Sequence, residues 1–349
     1  MATLSGAEGA SGKSASVAAS EKAVLRDGFG RRIEYVRLSL TDRCNFRCIY
    51  CMPHDGIPFL PHEQILSYEE LLRFCGMMAS LGISRFKVTG GEPLCRKDAA
   101  GFISSLAALP GVAEVTLTTN GSLLERHLDE LVQGGLRTVT VSCDAFEQES
   151  FAAIAGGADV SLDAVKAAMA RAAEYGLRVK INTVPLAGYN DRQLVPLARF
   201  ALEKGYHIRF IELMPVGRGR ELAGVPQDEL FARMEREFGT LERVKHKTGN
   251  GPAVVYSAKG YPGYIGFIAA LSNCFCASCN RIRFTATGFL KTCLYHDTGV
   301  DLGSSIRGGA NDAELRRRFL EAVANKPSGH TFSFTAKEKN IFFMNSVGG

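Results

Sequence analysis

Three cysteines lie close together near the start of the chain, at Cys44, Cys48 and Cys51, directly after the strand-like run 35–40. A disulfide uses two cysteines, whereas a structural zinc ion or an ordinary cubic iron–sulfur cluster uses four protein ligands. Three thiolates in one loop therefore indicate a cluster with one iron that has no protein ligand and can chelate a small molecule. The alternative is a zinc loop completed by a distant ligand, although zinc loops usually use C-x2-C pairs and Cys44 stands outside the one such pair in this loop.

A second group of cysteines occurs in the stretch CFCASCNRIRFTATGFLKTC, which begins at Cys274. Cys276, Cys279 and Cys293 again form a set of three, which predicts a second cluster with a vacant iron. Zinc is a stronger alternative here, because Cys274 or His296 could complete its ligand set.

Two arginines lie within the second group, in the sequence NRIR between Cys279 and Cys293. Side chains alternate along an extended strand, so Arg281 and Arg283 would share one face. Two guanidinium groups beside a cluster could bind the oxygens of a polyanion in bidentate fashion. Paired arginines alone usually form a solvated face, so this interpretation depends on the neighbouring cysteines.

The pattern from residue 33 to residue 214 alternates short β-branched runs with amphipathic helical stretches. Strands are predicted at 35–41, 85–90, 113–121, 137–144, 178–184 and 208–214. Helices are predicted at 68–79, 99–108, 123–133, 162–175 and 193–204. Parallel strands require helical crossovers of this length. The fold class is therefore α/β, and we expect an incomplete parallel (βα)6 barrel of the TIM type.

The chain divides into three predicted parts. The periodicity weakens after residue 217, so we predict a barrel domain at 23–240 and a smaller C-terminal domain at 241–349 that carries the second iron–sulfur cluster and contributes to substrate binding. Residues 1–22 are rich in Ala, Ser and Gly and have no periodicity, which predicts a disordered tail.

Polar residues lie at or directly after the end of each predicted strand, where the loops of parallel barrels carry the chemistry. These positions are Thr41 and Asp42, 90–93, 119–121, 142–144, Asn182 and 212–214. We therefore expect one site at this end of the barrel.

Composition limits the function classes. The chain has 349 residues, 10 cysteines and a formal net charge of +5, without a signal peptide or a long apolar run. This pattern predicts a cytoplasmic protein with reduced thiols and no membrane segment. The positive charge is too small and dispersed to indicate nucleic-acid binding, although it would suit an anionic small molecule.

The order of the motifs resembles a known superfamily. C-x3-C-x2-C after the first strand, followed by TGGEP after the second, is similar to the radical S-adenosylmethionine (SAM) enzymes. Gly90, Gly91 and Glu92 would belong to the loop that binds the methionine part of SAM. The glycines would let backbone carbonyls approach the ammonium group of the ligand.

The resemblance narrows to the GTP 3′,8-cyclase family of molybdenum cofactor biosynthesis. It runs from DGFGRRIEYVRLSLTDRCNFRCIYCMP through TGGEPL, LTTNG, KINTV and RFIELMPVG to CASCNRIRFTATGFLKTCL and the terminal Gly-Gly, about residues 27–349. It implies a radical SAM lyase that converts GTP to (8S)-3′,8-cyclo-7,8-dihydroguanosine 5′-triphosphate after a 5′-deoxyadenosyl radical takes the ribose 3′ hydrogen. The implied cofactors are two [4Fe-4S] clusters and SAM.

The resemblance also implies a role for each matching site residue. The expected cluster ligands are Cys44, Cys48, Cys51, Cys276, Cys279 and Cys293. The expected SAM neighbours are Tyr50, Gly90, Gly91, Glu92, Ser142 and Met214. The expected GTP ligands are Arg37, Lys87, Thr118, Lys180, Arg209, Arg281 and Arg283. The expected catalytic group is Arg281, Arg283, Gly348 and Gly349.

Physical reasons support the expected GTP ligands and the expected role of the C-terminal glycines. A triphosphate needs several cations, and inward Lys or Arg side chains in a barrel would otherwise be unpaired buried charges. A tail that ends in Gly348 and Gly349 has no side chains, so it could thread a narrow opening and bring its carboxylate near those cations. At Lys87 the positive charge is retained, but bidentate phosphate binding by an arginine would be lost.

The resemblance implies partners as well. We expect an external electron donor and a downstream cyclic pyranopterin monophosphate synthase that takes the product, and the sequence leaves a homodimer open. Two other functions stay open: a peptide-modifying radical SAM enzyme with an auxiliary cluster, and a zinc-binding nucleic-acid module. Three further cysteines, Cys75, Cys95 and Cys143, are expected to be buried thiols that act as small hydrophobic residues.

Overall fold

The computed structural model describes residues 24–157, 159–246, 248–332 and 344–348. The strands in these residues are β1 Tyr35–Ser39, β2 Arg85–Thr89, β3 Glu114–Thr119, β4 Thr138–Ser142, β5 Arg178–Thr183, β6 His207–Ile211, β7 Leu241–Arg243, β8 Val254–Ala258, β9 Tyr264–Ile268, β10 Arg281–Phe284, β11 Phe289–Lys291 and β12 Val300–Asp301. The predicted tail 1–22 lies outside the described residues.

Helices connect most of these strands. They are α1 Tyr68–Ser80, α2 Ala99–Ala107, α3 Leu124–Gln133, α4 Gln148–Ile154, α5 Leu162–Glu174, α6 Leu194–Glu203, α7 Gln227–Phe238, α8 Gly303–Arg307, α9 Asp312–Ala324 and α10 Met344–Val347. The six predicted strands and five predicted helices are all present. The short helix α4 was not predicted, because seven residues carry too little of the helical period to reveal it.

The described strands form one sheet in the order β12-β11-β10-β1-β2-β3-β4-β5-β6-β9-β8-β7. Strands β1 to β6 are parallel neighbours in sequence order, as helical crossovers require. The order is linear, with β12 and β7 at its edges, so the hydrogen-bonded ladder of the described residues is open. The α/β class and the parallel sheet are confirmed, whereas closure into a partial barrel stays a prediction.

The C-terminal strands extend this sheet at both ends. Strand β10 pairs in parallel with β1, and β9 pairs in parallel with β6. The remaining pairs are antiparallel, because their short connections cannot return the chain in a parallel direction. Cys274, Cys276 and Cys279 precede β10 and Cys293 follows β11, and the pairing of β10 with β1 brings this group beside the first strand. The domain boundary near residue 240 stays a prediction.

Alternation along each strand separates the hydrophobic core from the site. On β1, Val36 and Leu38 are fully buried in the core that packs against the helices. Arg37 lies between them and therefore projects to the opposite face of the sheet. The same alternation sets Ile282 of β10 in the core and turns its neighbouring arginines the other way.

Helix α1 has an N-terminal cap that fixes where the first cysteine loop ends. The Ser67 hydroxyl accepts a hydrogen bond from Glu70 N at 3.2 Å, and the Glu70 carboxylate accepts one from Ser67 N at 2.7 Å. This reciprocal capping box satisfies two backbone donors that a helix otherwise leaves unpaired. No helix in the described residues has both the length and the hydropathy needed to span a membrane.

Candidate active site

One cavity brings most of the predicted site residues together. Side chains of the parallel strands β1 to β6, β9 and β10 all contribute to its lining. The predicted residues that line it are Arg37, Cys44, Cys48, Tyr50, Cys51, Lys87, Gly90, Gly91, Thr118, Ser142, Lys180, Arg209, Met214, Cys276, Cys279, Arg281, Arg283 and Cys293. The two cysteine triads, which are far apart in sequence, therefore face the same space.

The first triad lies in the loop after β1. The backbone N–H of Cys51 donates to Cys48 O at 2.8 Å, which makes a tight turn between these two ligands. The Phe46 N–H points at Cys44 Sγ, with a distance of 3.4 Å. Burial raises the pKa of the Cys44 and Cys51 thiols to about 12, so the metal-free thiols are protonated at neutral pH. Iron has to displace these protons when it binds.

The glycines after β2 are needed for a reason that differs from the sequence argument. Gly91 N donates to Thr41 O at 2.7 Å, so the TGGEP loop hydrogen-bonds to the loop of the first triad. A Cβ atom on Gly91 would lie 2.3 Å from Arg43 O, and one on Gly90 would lie 2.8 Å from Thr41 O. Close packing of two protein backbones therefore already excludes side chains here.

Glu92 lies beside the cavity but does not line it. Its buried carboxylate accepts hydrogen bonds from Leu94 N at 3.1 Å, Thr119 Oγ1 at 2.8 Å and Asn120 N at 2.6 Å. Burial raises the pKa of Glu92 to about 7. Glu92 therefore connects the TGGEP loop to the end of β3, and the three hydrogen bonds that its carboxylate accepts all come from protein donors.

Tyr50 is held in place by Asp144, a strand-end residue to which the family resemblance assigned no role. Its hydroxyl donates to Asp144 Oδ2 at 2.7 Å, and Asp144 Oδ1 accepts from Val184 N at 2.7 Å. Asp144 follows β4 and also lines the cavity, where burial raises its pKa to about 6. Its position at the end of a strand is the reason it belongs to the polar residues 142–144 that were expected at the site from the sequence.

Cations from neighbouring strands converge in the cavity. Lys87 Nζ and Arg209 Nη2 both donate to the hydroxyl of Thr140, at 3.2 and 3.1 Å. Burial, followed by the surrounding positive charges, lowers the pKa of Lys87, and it lowers the pKa of Lys180 to about 8. Burial also lowers the pKa of Arg283.

This cluster fits an anionic ligand. In the part of the chain that the structure describes, Lys87, Lys180, Arg209 and Arg283 form no ion pair with a carboxylate. Glu114 also lines the cavity and offsets part of the positive charge at Lys87 and Lys180. Guanidinium groups keep their protons in proteins, so a bound anion would offset the charge that remains. Within the described residues, some buried polar atoms of the cavity also have no hydrogen-bond partner: Thr116 Oγ1, Thr118 Oγ1, Asn182 Oδ1 and Arg209 Nε.

The C-terminal tail reaches two of the predicted GTP ligands. Gly348 O accepts hydrogen bonds from Arg283 Nη1 at 2.5 Å and from Arg37 Nε at 3.2 Å. Gly348 has a φ angle of +77°, and a Cβ atom there would lie 2.8 Å from Thr89 Cγ2. Both the backbone angle and the space therefore favour glycine. Gly349 lies outside the described residues.

The second triad faces the cavity beside Arg281. Burial raises the pKa of Cys279, but the positive charges of Lys326 and Arg281 outweigh this effect and lower it overall. The Arg281 guanidinium stacks on the Phe275 ring, with 4.6 Å to the ring centroid. Arg281 and Arg283 both line the cavity, as the strand alternation predicts.

The spacing of the sulfurs bears on the zinc alternative. Cysteine sulfurs around one tetrahedral zinc ion stand about 3.8 Å apart, given Zn–S bonds of about 2.3 Å. Among the described residues, only Cys274, Cys276 and His330 bring three ligand atoms within 4.8 Å of one another. The two predicted triads are spaced more widely, which suits sulfurs that bind different irons of a cluster. His296, a predicted zinc candidate, instead contacts Gly329 O through Nε2 at 3.0 Å.

The remaining cysteines are divided between core and surface. Cys75 and Cys143 are buried, as predicted. The prediction for Cys95 is wrong, because this residue is exposed. It follows the buried pair Pro93 and Leu94 in a single 3₁₀ turn that carries its side chain outward, with Sγ 3.7 Å from Asn45 Oδ1. His330 has no motif in the sequence and was missed.

Comparison with known proteins gives a consistent result. The sequence profile of the Radical SAM superfamily matches residues 38–201, and that of Molybdenum Cofactor Synthesis C matches residues 206–332. Among solved structures, Streptococcus suis SuiB bound to the precursor peptide SuiA aligns with a TM-score of 0.59. That alignment covers 85% of this chain and 65% of the other at 12% identity, so it supports the fold alone.

Curated relatives align over almost the whole chain. The GTP 3′,8-cyclase of Clostridium perfringens strain 13 is 39% identical, over 93% of this chain and 100% of its own length. The GTP 3′,8-cyclase of Moorella thermoacetica is 41% identical with the same coverage. The chain therefore belongs to the GTP 3′,8-cyclase family of the radical SAM superfamily.

Proposed function

We propose that this enzyme converts GTP to (8S)-3′,8-cyclo-7,8-dihydroguanosine 5′-triphosphate in molybdenum cofactor biosynthesis. The observation that carries the proposal is a single cavity that holds two cysteine triads and a cluster of buried cations. The family membership supports the same reaction. A peptide substrate would not need several buried cations, so the cavity favours a polyanion over the peptide-modifying alternative.

The two triads have separate roles in this proposal. Cys44, Cys48 and Cys51 hold one [4Fe-4S] cluster, and Cys276, Cys279 and Cys293 hold the other. When bound, the first cluster and SAM supply a 5′-deoxyadenosyl radical, which takes the ribose 3′ hydrogen of GTP.

Residues around the first triad bind SAM. Tyr50, fixed by Asp144, and Met214 enclose the adenosyl part, and Ser142 contributes a hydroxyl at the end of β4. The backbone at Gly90 and Gly91 faces the cavity and contacts the methionine part. Glu92 positions this loop through its three hydrogen bonds to protein donors.

The cations of the sheet bind the triphosphate. Lys87, Lys180 and Arg209 attract its oxygens, and Thr118 contributes a buried hydroxyl. Two or more of these charges acting on one triphosphate also fix its position along the cavity. Burial of the site excludes water, which strengthens each electrostatic contact.

Arg281 and Arg283 orient the nucleotide near the second triad. Arg37 and Arg283 are held by Gly348 O, so the tail sets the direction of both guanidinium groups. In our proposal, Gly348 and Gly349 organise GTP for hydrogen abstraction and contribute nothing to SAM binding.

An anaerobic assay tests the reaction. The reconstituted enzyme, incubated with SAM, reductant and GTP, is expected to give both 5′-deoxyadenosine and the cyclised nucleotide. A variant that lacks Gly348 and Gly349 should cleave SAM but lose cyclisation. Absence of a cyclised nucleotide from the wild-type reaction would contradict the function, and undiminished cyclisation by the shortened chain would contradict the role of the tail.

Further expectations concern the surroundings of the enzyme. We propose that an external donor reduces the first cluster and that a cyclic pyranopterin monophosphate synthase takes the product. We also propose a cytoplasmic location, because two clusters with thiolate ligands require a reducing compartment. Homodimer formation is a separate proposal that a mass measurement in solution tests.

A further inference from the structure

Three potential metal ligands lie together at the edge of the second triad. Cys274, Cys276 and His330 bring their ligand atoms within 4.8 Å of one another. Cys274 Sγ and His330 Nε2 are 3.6 Å apart. Around a tetrahedral zinc ion, bonds of about 2.3 Å to sulfur and about 2.0–2.1 Å to nitrogen put these two atoms roughly 3.6 Å apart. The observed distance therefore matches a mononuclear site.

The side chains suit zinc in chemistry as well as in distance. Two thiolates and one imidazole are common zinc ligands, and they leave a fourth position for water. Cys274 is exposed, so an ion can reach the group from solvent. The His330 ring is held by its contact with Phe332, whose N–H donates to Nδ1 at 3.3 Å, and Nε2 faces Cys274. Zinc binding through Nε2 requires the imidazole proton to be on Nδ1, so the contact of Nδ1 with the Phe332 N–H has to open, and the thiol protons of Cys274 and Cys276 are released to solvent.

Cys276 belongs both to this group and to the second triad. One sulfur cannot occupy a terminal position in a cubic cluster and in a separate zinc site at the same time. The two metal states therefore exclude each other, and Cys274 and His330 are the residues that distinguish them.

We propose that Cys274, Cys276 and His330 form an alternative site for Zn²⁺, which is occupied in protein that lacks its second cluster. This site goes beyond the proposed reaction, which uses Cys276 with Cys279 and Cys293. It gives the chain a defined state in which zinc blocks insertion of the second cluster.

Zinc titration of the full-length chain tests the site. Cys44, Cys48 and Cys51 are replaced by Ala so that the first triad cannot contribute, and the metal-free protein is titrated anaerobically against a chromophoric chelator. We expect one zinc ion per chain. Cys274→Ala and His330→Ala should each weaken zinc binding by about tenfold or more, because each removes one of three protein ligands.

Matched cysteine variants provide the control. Cys279→Ala and Cys293→Ala, in the same background, should leave zinc affinity unchanged. Equal losses in these variants and in Cys274→Ala would show that zinc uses the second triad and would overturn the proposal. Absence of zinc binding by the parent chain, or unchanged affinity in the Cys274 and His330 variants, would overturn it too.

Co²⁺ gives an independent count of the ligands. The sulfur-to-cobalt charge-transfer band of the parent should report two thiolates, and Cys274→Ala should reduce it to one. His330→Ala should keep both thiolates and shift the ligand-field bands.

Iron reconstitution distinguishes this site from the cluster. In the otherwise wild-type chain, Cys274→Ala should take up as much iron as the wild type and should carry less zinc. Loss of the second cluster in that variant would make Cys274 a cluster ligand and contradict the proposal. These measurements contain no GTP or SAM, so their failure would leave the proposed reaction untouched.

Discussion

Single side chains in the cavity carry the charge that selects its ligand. Lys87 and Arg209 share the Thr140 hydroxyl, which brings two positive groups to one point of the sheet. Arg281 also lines the cavity, where it stacks on Phe275. Because these groups come from different strands, each can be removed without breaking the contacts of the others.

Arg281→Ala should weaken GTP binding by about 1.5–3 kcal/mol, the range for hydrogen bonds to charged groups. SAM affinity should stay the same, since Arg281 lies beside the second triad. Isothermal titration of both ligands measures the two effects. Arg171→Ala removes an exposed arginine paired with Glu174 and serves as the control. Equal loss of GTP and SAM affinity would indicate damage to the fold instead.

The pH dependence of GTP binding should report Lys180. Burial and neighbouring cations lower the pKa of Lys180 to about 8 in the free protein. Below this pH the ammonium group is charged and attracts phosphate, and above it the charge and part of the affinity are lost. Lys180→Met should bind more weakly at neutral pH and lack this step near pH 8. Identical pH profiles for the variant and the wild type would show that Lys180 is not the source of the step near pH 8. GTP titrates in the same way with both proteins, so its own protonation cancels in the comparison.

At the scale of elements, the site depends on loops that pack on each other. The loop after β2 donates from Gly91 N to Thr41 O and from Glu92 N to Arg43 O, at 2.7 and 2.8 Å. Glu92 then binds the end of β3. Three consecutive strand ends are therefore joined by hydrogen bonds below the first triad. A substitution that displaces one of these loops should therefore displace the loops bonded to it.

Gly91→Ala should destabilise the protein by about 1–3 kcal/mol, the usual range for overpacking. Its new Cβ atom would lie 2.3 Å from Arg43 O, and a backbone atom cannot move aside as a flexible side chain can. Gly76→Ala is the matched control, because apart from the nearby backbone of its own helix no atom lies within 4 Å of its new Cβ. In helix α1 this change should raise stability by about 0.5–1 kcal/mol. Urea unfolding measures both, and equal effects would contradict the packing argument.

At the scale of the whole molecule, the sheet joins the two ends of the chain. Strand β10 pairs with β1, so the second triad lies at the same cavity as the first. Helix α10 also returns to this region, where Asn345 Nδ2 donates to Asp42 O at 2.9 Å. The cavity is thus completed by residues from both halves of the chain.

The triads should load metal independently. Replacing Cys276, Cys279 and Cys293 together by Ala should reduce bound iron to about half, because each set of three thiolates holds its own cluster. SAM binding at the first triad should persist. Iron analysis and SAM titration of the anaerobic protein measure both quantities. A folded variant that has lost all of its iron would show that the two clusters are not independent.

The sequence by itself determined the strands β1 to β6 and the residues on their inner faces. Alternation of side chains along β10 was enough to predict that Arg281 and Arg283 share a face, since this depends only on local geometry. The spacing of Cys44, Cys48 and Cys51 was enough to indicate a shared metal group for the same reason. The order of the motifs along the chain was enough to indicate the family.

Only the tertiary structure decided which distant groups meet. The pairing of β10 with β1 and the approach of His330 to Cys274 join residues far apart in the chain. The sequence predicted that the tail comes near the cations, and the structure decided that Gly348 O is the group that accepts from Arg37 and Arg283. The role of the glycines at 90 and 91 also required it, because the crowding atoms belong to another loop. Local patterns set the direction of each side chain, whereas long-range packing sets its neighbours, and no spacing along the sequence encodes the latter.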